Sequence, residues 1–286
     1  MITKEQFNKE LEIIITNAIR EDIGTGDHSS LACIPADAVG EAVLLAKDEG
    51  ILAGVAFAKM IFHQVDPNLK VKVSINDGEF VRYGDTAFVV KGASQSILKA
   101  ERLVLNTIQR MSAIATKTHK FAQILEDTNT RILDTRKTTP GIRAIEKWAV
   151  RIGGGTNHRF ALYDMVMLKD NHIDFAGGIK NAIKKTNKYL KDNHLDLKIE
   201  IETRNLDEVQ QVLEVGQVDR IMLDNFNYED LRTAVKLING RFETEASGGI
   251  NEKTLRKYAD CGVDFISSGA LTHSIYNMDF SLKAVK

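Results

Sequence analysis

From Thr130 onward, short apolar runs rich in β-formers alternate with amphipathic stretches, and this alternation restricts the possible folds more than any other feature of the chain. The strand candidates are RILDT, DMVMLKDNHI, LKIEIET, DRIMLDN, RFETEASGG and DFISSG. Helical patterns lie between them at Arg143 to Arg151, Lys180 to Leu190, Asp207 to Leu213, Tyr228 to Ile238 and Glu252 to Tyr258. The last four units recur at roughly twenty residues, the scale of a βαβ crossover. Apolar strands joined in this way predict a parallel sheet covered by helices. An open doubly wound sheet and a barrel both fit. The barrel is favoured because every strand ends in a polar or glycine-rich junction and the strand interiors are rich in Ile, Val, Leu and Met. Six units are fewer than the eight of a full barrel.

The preceding part reads differently. Phe7, Leu11, Ile14, Ile15, Ala18 and Ile19 fall at helical spacing, and the run from Asp22 to Asp27 reads as a loop. GEAVLLAKDEGILAG, KVKVSIND and TAFVVKG follow as short strands of an antiparallel sheet. The stretch from Ser94 to Leu125 predicts one or two long helices joining the two parts.

At 286 residues the chain can bury a large core. Its 38 Lys plus Arg against 39 Asp plus Glu provide no global positive field for nucleic acid or an anionic membrane, so anions must bind locally. No window approaches the ~20 apolar residues of a membrane span. Acidic residues interrupt the amino-terminal apolar pattern, which argues against a signal peptide. Cys33 and Cys261 stand far apart and outside any metal-ligand spacing, which fits two unpaired thiols in a reducing cytoplasm better than a disulfide framework, with a single disulfide between them as the alternative.

Chemistry-bearing residues gather at the strand-end junctions. Arg136 and Lys137 follow RILDT among three threonines and a Pro-Gly pair, a loop suited to an anion or simply a solvated one. Three glycines, Gly153 to Gly155, precede His158 and Arg159 and imply a tight turn or a close approach to a ligand. Lys169 ends MVML, where it suits a phosphate or carboxylate partner, a Schiff-base nucleophile, or an ordinary exposed lysine. Glu200 and Glu202 share one face of their strand and need cationic partners if buried; Asp224 holds the equivalent junction of the next unit. Ser247, Gly248 and Gly249, then Ser268 and Gly269, form two small-residue loops in the last units, where backbone amides can face a phosphate. Glu202 and Asp224 lie between the cationic and glycine-lined groups in chain order. They suit Mg2+ held directly or through water, ribose hydroxyls, or a developing positive charge. Neither G-x-G-x-x-G nor Walker A is present.

With these residues in view, the chain closely resembles the quinolinate phosphoribosyltransferase family. The resemblance rests on EDIGTGDHSS, ERLVLNTIQRMSAIAT, DTRKTTPG, GGGTNHR, LKDNH, EIE, IMLDNF, EASGGI and SSGALTHS in that order, over almost the whole chain. Ala113 and Ser268 depart from the usual Gly and Val without adding charge or much bulk. The resemblance implies an α/β fold, an incomplete α/β barrel (113–272) with an N-terminal α/β sandwich-like domain (1–112 plus 273–286). It also implies a homodimer with shared active sites, in which the partner subunit's Arg102 joins Arg136, His158, Arg159 and Lys169 around quinolinate. Lys137, Lys169, Glu202, Asp224, Ser247, Gly248, Gly249, Ser268 and Gly269 would hold phosphoribosyl pyrophosphate. Lys137, Glu202 and Asp224 would be catalytic, with Mg2+ near the two acids. The products would be nicotinate mononucleotide, pyrophosphate and CO2, formed in NAD biosynthesis.

Three other functions compete, the first within the same resemblance and the others on the residues. A related phosphoribosyltransferase would take another planar acid, and a Schiff-base aldolase would use Lys169. A noncatalytic phosphate binder would have no need of a second cluster like Arg136, His158 and Arg159.

Overall fold

The computed structural model describes residues 2–285. The chain folds into two compact units. One comprises Thr3–His119, Thr138–Gly154 and the chain from Leu271 onward; the other comprises Lys120–Lys137 and Gly155–Ala270.

The first unit starts with helix Lys4–Ile23. Thr3 begins it with a reciprocal cap: its hydroxyl accepts the Gln6 N–H at 3.1 Å, and the Gln6 side chain accepts the Thr3 N–H at 2.8 Å. The helix continues through Asp22 and ends at Gly24, so the expected loop is shorter than its polar composition suggests. Strands β1 (Val39–Ala46), β2 (Gly50–Ile51), β3 (Lys70–Val73), β4 (Phe80–Val81) and β5 (Thr86–Ala93) follow. With the final strand, β12 (Phe280–Ala284), they form an antiparallel sheet in the order β12-β1-β5-β3 and a separate β2-β4 pair. Leu44, Phe88 and Val90 are fully buried in this sheet. The long apolar pattern after it is one helix, Ser94–Ile124.

Helix Arg143–Ile152 belongs to this unit, although its sequence position suggests a barrel helix. Its Glu146 is fully buried and pairs with Arg110 at 2.8 Å; Arg110 also donates to the Thr272 carbonyl, and Glu146 accepts the Thr139 N–H. A buried carboxylate paired this completely avoids the cost of burial without a partner. Gly153 caps the end of this helix, and only glycine fits there, since a Cβ would lie 2.3 Å from the Ala115 carbonyl oxygen.

The second unit contains β6 (Arg131–Leu133), β7 (Val166–Leu168), β8 (Ile199–Thr203), β9 (Arg220–Asp224), β10 (Glu243–Ser247) and β11 (Phe265–Ser267), all parallel. Their spatial order is β6-β11-β10-β9-β8-β7. The first strand therefore pairs with the last, a closure that an open doubly wound sheet does not make. The seam lies between β6 and β7. There, Thr156 bonds to the free edge of β6, donating to the Ile132 carbonyl at 2.9 Å and accepting from Asp134. The result is an incomplete barrel. Helices Ile179–Asp192, Leu206–Val215 and Tyr228–Ile238 pack in sequence against one another, as in a barrel's outer ring.

Two sequence expectations need correction. DMVMLKDNHI is a strand only to Leu168; Asp170–Ala176 is a helix, and the His172 Nδ1 accepts the Lys169 N–H at its start. The strands are also not apolar throughout. Ile201, Ile221, Leu223, Ala246 and Ile266 are buried on one face, while Glu200 and Glu245 are buried on the other beside the partly buried Arg220.

Candidate active site

Because the six strands are parallel, their carboxyl ends share one rim. Arg136 and Lys137 follow β6, Lys169 follows β7, and Glu202 and Asp224 stand near the ends of β8 and β9. Ser247 to Gly249 follow β10, and Ser268 and Gly269 follow β11. His158 and Arg159 enter beside β6 through the Thr156 seam. The second unit thus gathers every site residue expected from the sequence except Arg102, which is exposed on helix Ser94–Ile124 of the first unit.

The cationic part is unusual in its electrostatics. Arg136 Nε is buried and has no hydrogen-bond partner. Arg159 is 7% exposed, and its Nη1 donates to the Met165 carbonyl at 3.1 Å. Burial, and then the neighbouring charge of Arg136, hold the Arg159 guanidinium below its ordinary range. Like charges placed together in a partly desolvated site are costly, and a bound anion offsets that cost.

Beneath them lies a cluster only part of which is visible in the sequence. Asp134 is fully buried and accepts the His158 N–H at 2.8 Å and the Asn157 side-chain N–H at 2.6 Å. His158 Nε2 is 2.9 Å from Glu200 and 3.5 Å from Glu245. Arg220 Nη1 stands 3.0 Å from Glu245 and 3.9 Å from Glu200. Ligand atoms of His158, Glu200 and Glu245 lie within 4.8 Å of one another, a grouping that could hold a divalent cation without being specific to Mg2+. Arg220 already supplies positive charge at the same carboxylates. Glu243 and Glu245 could have been noticed as alternating acids in RFETEASGG, by the reasoning applied to Glu200 and Glu202.

Burial pushes both Glu200 and Glu245 up to about 7, and at Glu245 the neighbouring Glu200 adds to the shift, while the Arg220 guanidinium opposes it at both. The native pair consequently retains protons that the unfolded chain has released, and stability must fall as pH rises from about 4.5 to about 7. Glu245→Gln should flatten that decline by an amount on the order of 2 kcal/mol. Urea midpoints at pH 5 and pH 8 test this; an equal decline in wild type and variant would contradict it.

At the rim, Lys169 Nζ lies 3.7 Å from Glu202, with side-chain exposures of 48% and 11%. Burial raises the Glu202 carboxyl above its ordinary range; Lys169 opposes the shift, and Asp224 and Asp170 add to it. Lys169 stands beside a carboxylate and is half-exposed, which differs from the dry pocket a Schiff-base lysine needs. Asp224 accepts from the Asn225 side chain at 2.6 Å. Gly248 has φ +100°, and a Cβ there would lie 2.2 Å from Asn225 Oδ1. Ser268 has two donors already in use: its N–H bonds the Leu133 carbonyl and its hydroxyl the Ile250 carbonyl. The helix after β10 starts only at Leu255, so Gly249 precedes a turn and not a helix terminus.

Comparison with known proteins identifies this arrangement. Residues 27–112 match the N-terminal domain of quinolinate phosphoribosyl transferase, and residues 114–283 match its C-terminal domain. The chain belongs to the quinolinate phosphoribosyltransferase family. It is 50% identical over 289 aligned positions to the carboxylating nicotinate-nucleotide pyrophosphorylase, chloroplastic, of Arabidopsis thaliana, covering 96% of this chain and 82% of that protein. A probable carboxylating nicotinate-nucleotide pyrophosphorylase of Bacillus subtilis is 41% identical, over 96% of this chain and 93% of the relative. The solved nicotinate-nucleotide pyrophosphorylase of Francisella tularensis superposes with a TM-score of 0.89 at 38% identity, covering 97% of each chain.

Proposed function

We propose that the chain transfers the phosphoribosyl group of phosphoribosyl pyrophosphate to quinolinate and decarboxylates the product, yielding nicotinate mononucleotide, pyrophosphate and CO2 in NAD biosynthesis. The observation that carries this reading is the pairing of Arg159 with Arg136, whose buried Nε lacks a protein acceptor. Quinolinate has adjacent carboxylates that such a pair can grip and neutralise.

Arg136 and Arg159 bind the quinolinate carboxylates, with His158 and Lys169 at the same subsite. The partner subunit's Arg102 completes it in a homodimer with shared sites. Lys137 and Lys169 face the pyrophosphate, Glu202 and Asp224 the ribose, and the loops Ser247 to Gly249 and Ser268 to Gly269 the 5-phosphate. At Ser268 the remaining donor capacity lies in the neighbouring backbone, since its own two donors are engaged.

Glu202 and Asp224 also suit Mg2+, directly or through water, because they offer only oxygen and retain access to solvent that a buried His-containing set lacks. The ion would neutralise departing pyrophosphate. The chain's own contribution is alignment. The cationic residues fix the pyridine plane so that its nitrogen faces the ribose C1, and the Glu202 and Asp224 carboxylates offset the positive charge that develops on the sugar. Once the ring nitrogen is quaternary, its positive charge stabilises the electron pair left on C2 as the 2-carboxylate departs as CO2, and a proton taken up from solvent then forms the C2–H bond of the product.

Among the described residues no helix is long and apolar enough to cross a membrane. Cys33 is an exposed free thiol and Cys261 a buried one, in keeping with a reducing cytoplasm.

A substrate panel tests the reading. Phosphoribosyl pyrophosphate should be consumed with quinolinate and hardly at all with nicotinate, which lacks the second carboxylate. Equal turnover of the two acids would contradict the proposed grip.

A further inference from the structure

His158 is held from three directions inside the barrel. Its backbone N–H donates to Asp134, and its Nδ1 accepts the Arg159 N–H at 2.6 Å. An accepting Nδ1 carries no proton, so the ring proton resides on Nε2. That atom lies 2.9 Å from Glu200 Oε2 and 3.5 Å from Glu245 Oε2, and the side chain is only 5% exposed. Arg220 holds the two acids from the neighbouring strand, and its guanidinium rests 4.1 Å from the centroid of the Phe265 ring. Nδ1 is thus hydrogen-bonded to the Arg159 N–H while Nε2 stands within ion-pair distance of the two acids, and the residue one step along the chain is Arg159.

We propose that Glu200 and Glu245 are positioning residues that set the imidazole of His158, which in turn fixes the backbone and hence the guanidinium of Arg159 toward quinolinate. This rests on the quinolinate reading of the rim and refines it: His158 acts through Arg159 and does not itself grip the substrate. Chain geometry supports the route. The Arg159 N–H has one acceptor, an imidazole nitrogen whose ring can rotate about χ2 unless its other end is held. The carboxylates provide that hold from β8 and β10, the rigid elements of the unit, and Asp134 anchors the adjoining backbone from the end of β6.

The test uses the full-length enzyme with quinolinate and phosphoribosyl pyrophosphate varied separately. His158→Phe keeps a ring but removes both nitrogens. It should raise the KM for quinolinate roughly tenfold to a hundredfold, the cost of a misplaced binding group, while the KM for phosphoribosyl pyrophosphate stays within about twofold. His158→Asn, whose Oδ1 can accept the Arg159 N–H, should recover most of the loss. Glu200→Leu should raise the quinolinate KM in the same sense, and the Glu200→Leu, His158→Phe double variant should be no worse than His158→Phe alone, because the two act in series. Glu200→Met, unbranched and of similar length, serves if the leucine variant does not fold. An unchanged quinolinate KM in His158→Phe would overturn the proposal, as would independent multiplying effects in the double variant or failure of His158→Asn to improve on Phe. Wild-type turnover separates these results from failure of the quinolinate reading itself: a folded wild-type enzyme that does not use quinolinate overturns both.

Discussion

Truncating Arg136 to alanine should lower kcat/KM for quinolinate by about 2 to 5 kcal/mol of transition-state binding, the range for losing one partner of a desolvated charge pair. The expected effect on stability has the opposite character. Arg136 Nε has no protein acceptor, and its charge disfavours that of Arg159, so its removal relieves repulsion in the free protein. The variant should therefore melt no lower than wild type while losing most of its use of quinolinate. Residues kept for a ligand at the expense of the empty fold show this trade. Steady-state kinetics paired with thermal melts check it. Near-unchanged kinetics, or a large loss of stability accounting for the lost activity, would show that Arg136 serves the fold.

Glu202→Gln should act on a different kinetic constant. The carboxylate is largely buried beside Lys169 and close enough to Asp224 for that acid to raise its pKa, an arrangement that keeps negative charge at the rim at some cost. If that charge faces positive charge developing on the sugar, the amide should lower kcat by roughly 100- to 1000-fold, the usual penalty for removing a preorganised electrostatic group. The KM for phosphoribosyl pyrophosphate should change little, because the sugar is neutral in the ground state. A variant with normal kcat and a greatly raised KM would place Glu202 in ground-state binding alone.

The parallel unit was legible because its strands and helices have distinct patterns: LKIEIET alternates and DRIMLDN carries a short continuous apolar run, as strands do, and Tyr228 to Ile238 has a helical stripe bounded as the structure bounds it. The rim was legible for a related reason. Parallel strands bring all their carboxyl ends to one edge, so residues at successive junctions become neighbours without any knowledge of how their side chains touch. Other features depend on tertiary pairing that no local pattern encodes. The choice between barrel and open sheet rests on β6 pairing with β11, across more than half of the unit's sequence. Helix Arg143–Ile152 looks like an outer barrel helix until Arg110 claims Glu146 from a distant part of the chain. The network below His158 was visible only as the Glu200 and Glu202 alternation, since Arg220 and Glu245 acquire meaning when β8, β9 and β10 lie side by side. His172 escaped notice as a helix-starting acceptor because histidine is not among the usual capping residues.

On the proposed reading, cationic side chains and glycine-lined loops on a single barrel rim bring a dicarboxylate nitrogen to an activated ribose. Quinolinate labelled in its 2-carboxylate, incubated with phosphoribosyl pyrophosphate, Mg2+ and the purified chain, tests it most directly. Labelled CO2, nicotinate mononucleotide and pyrophosphate should appear in equal amounts. A nucleotide that keeps the label, or no nucleotide at all from folded protein, would contradict the account.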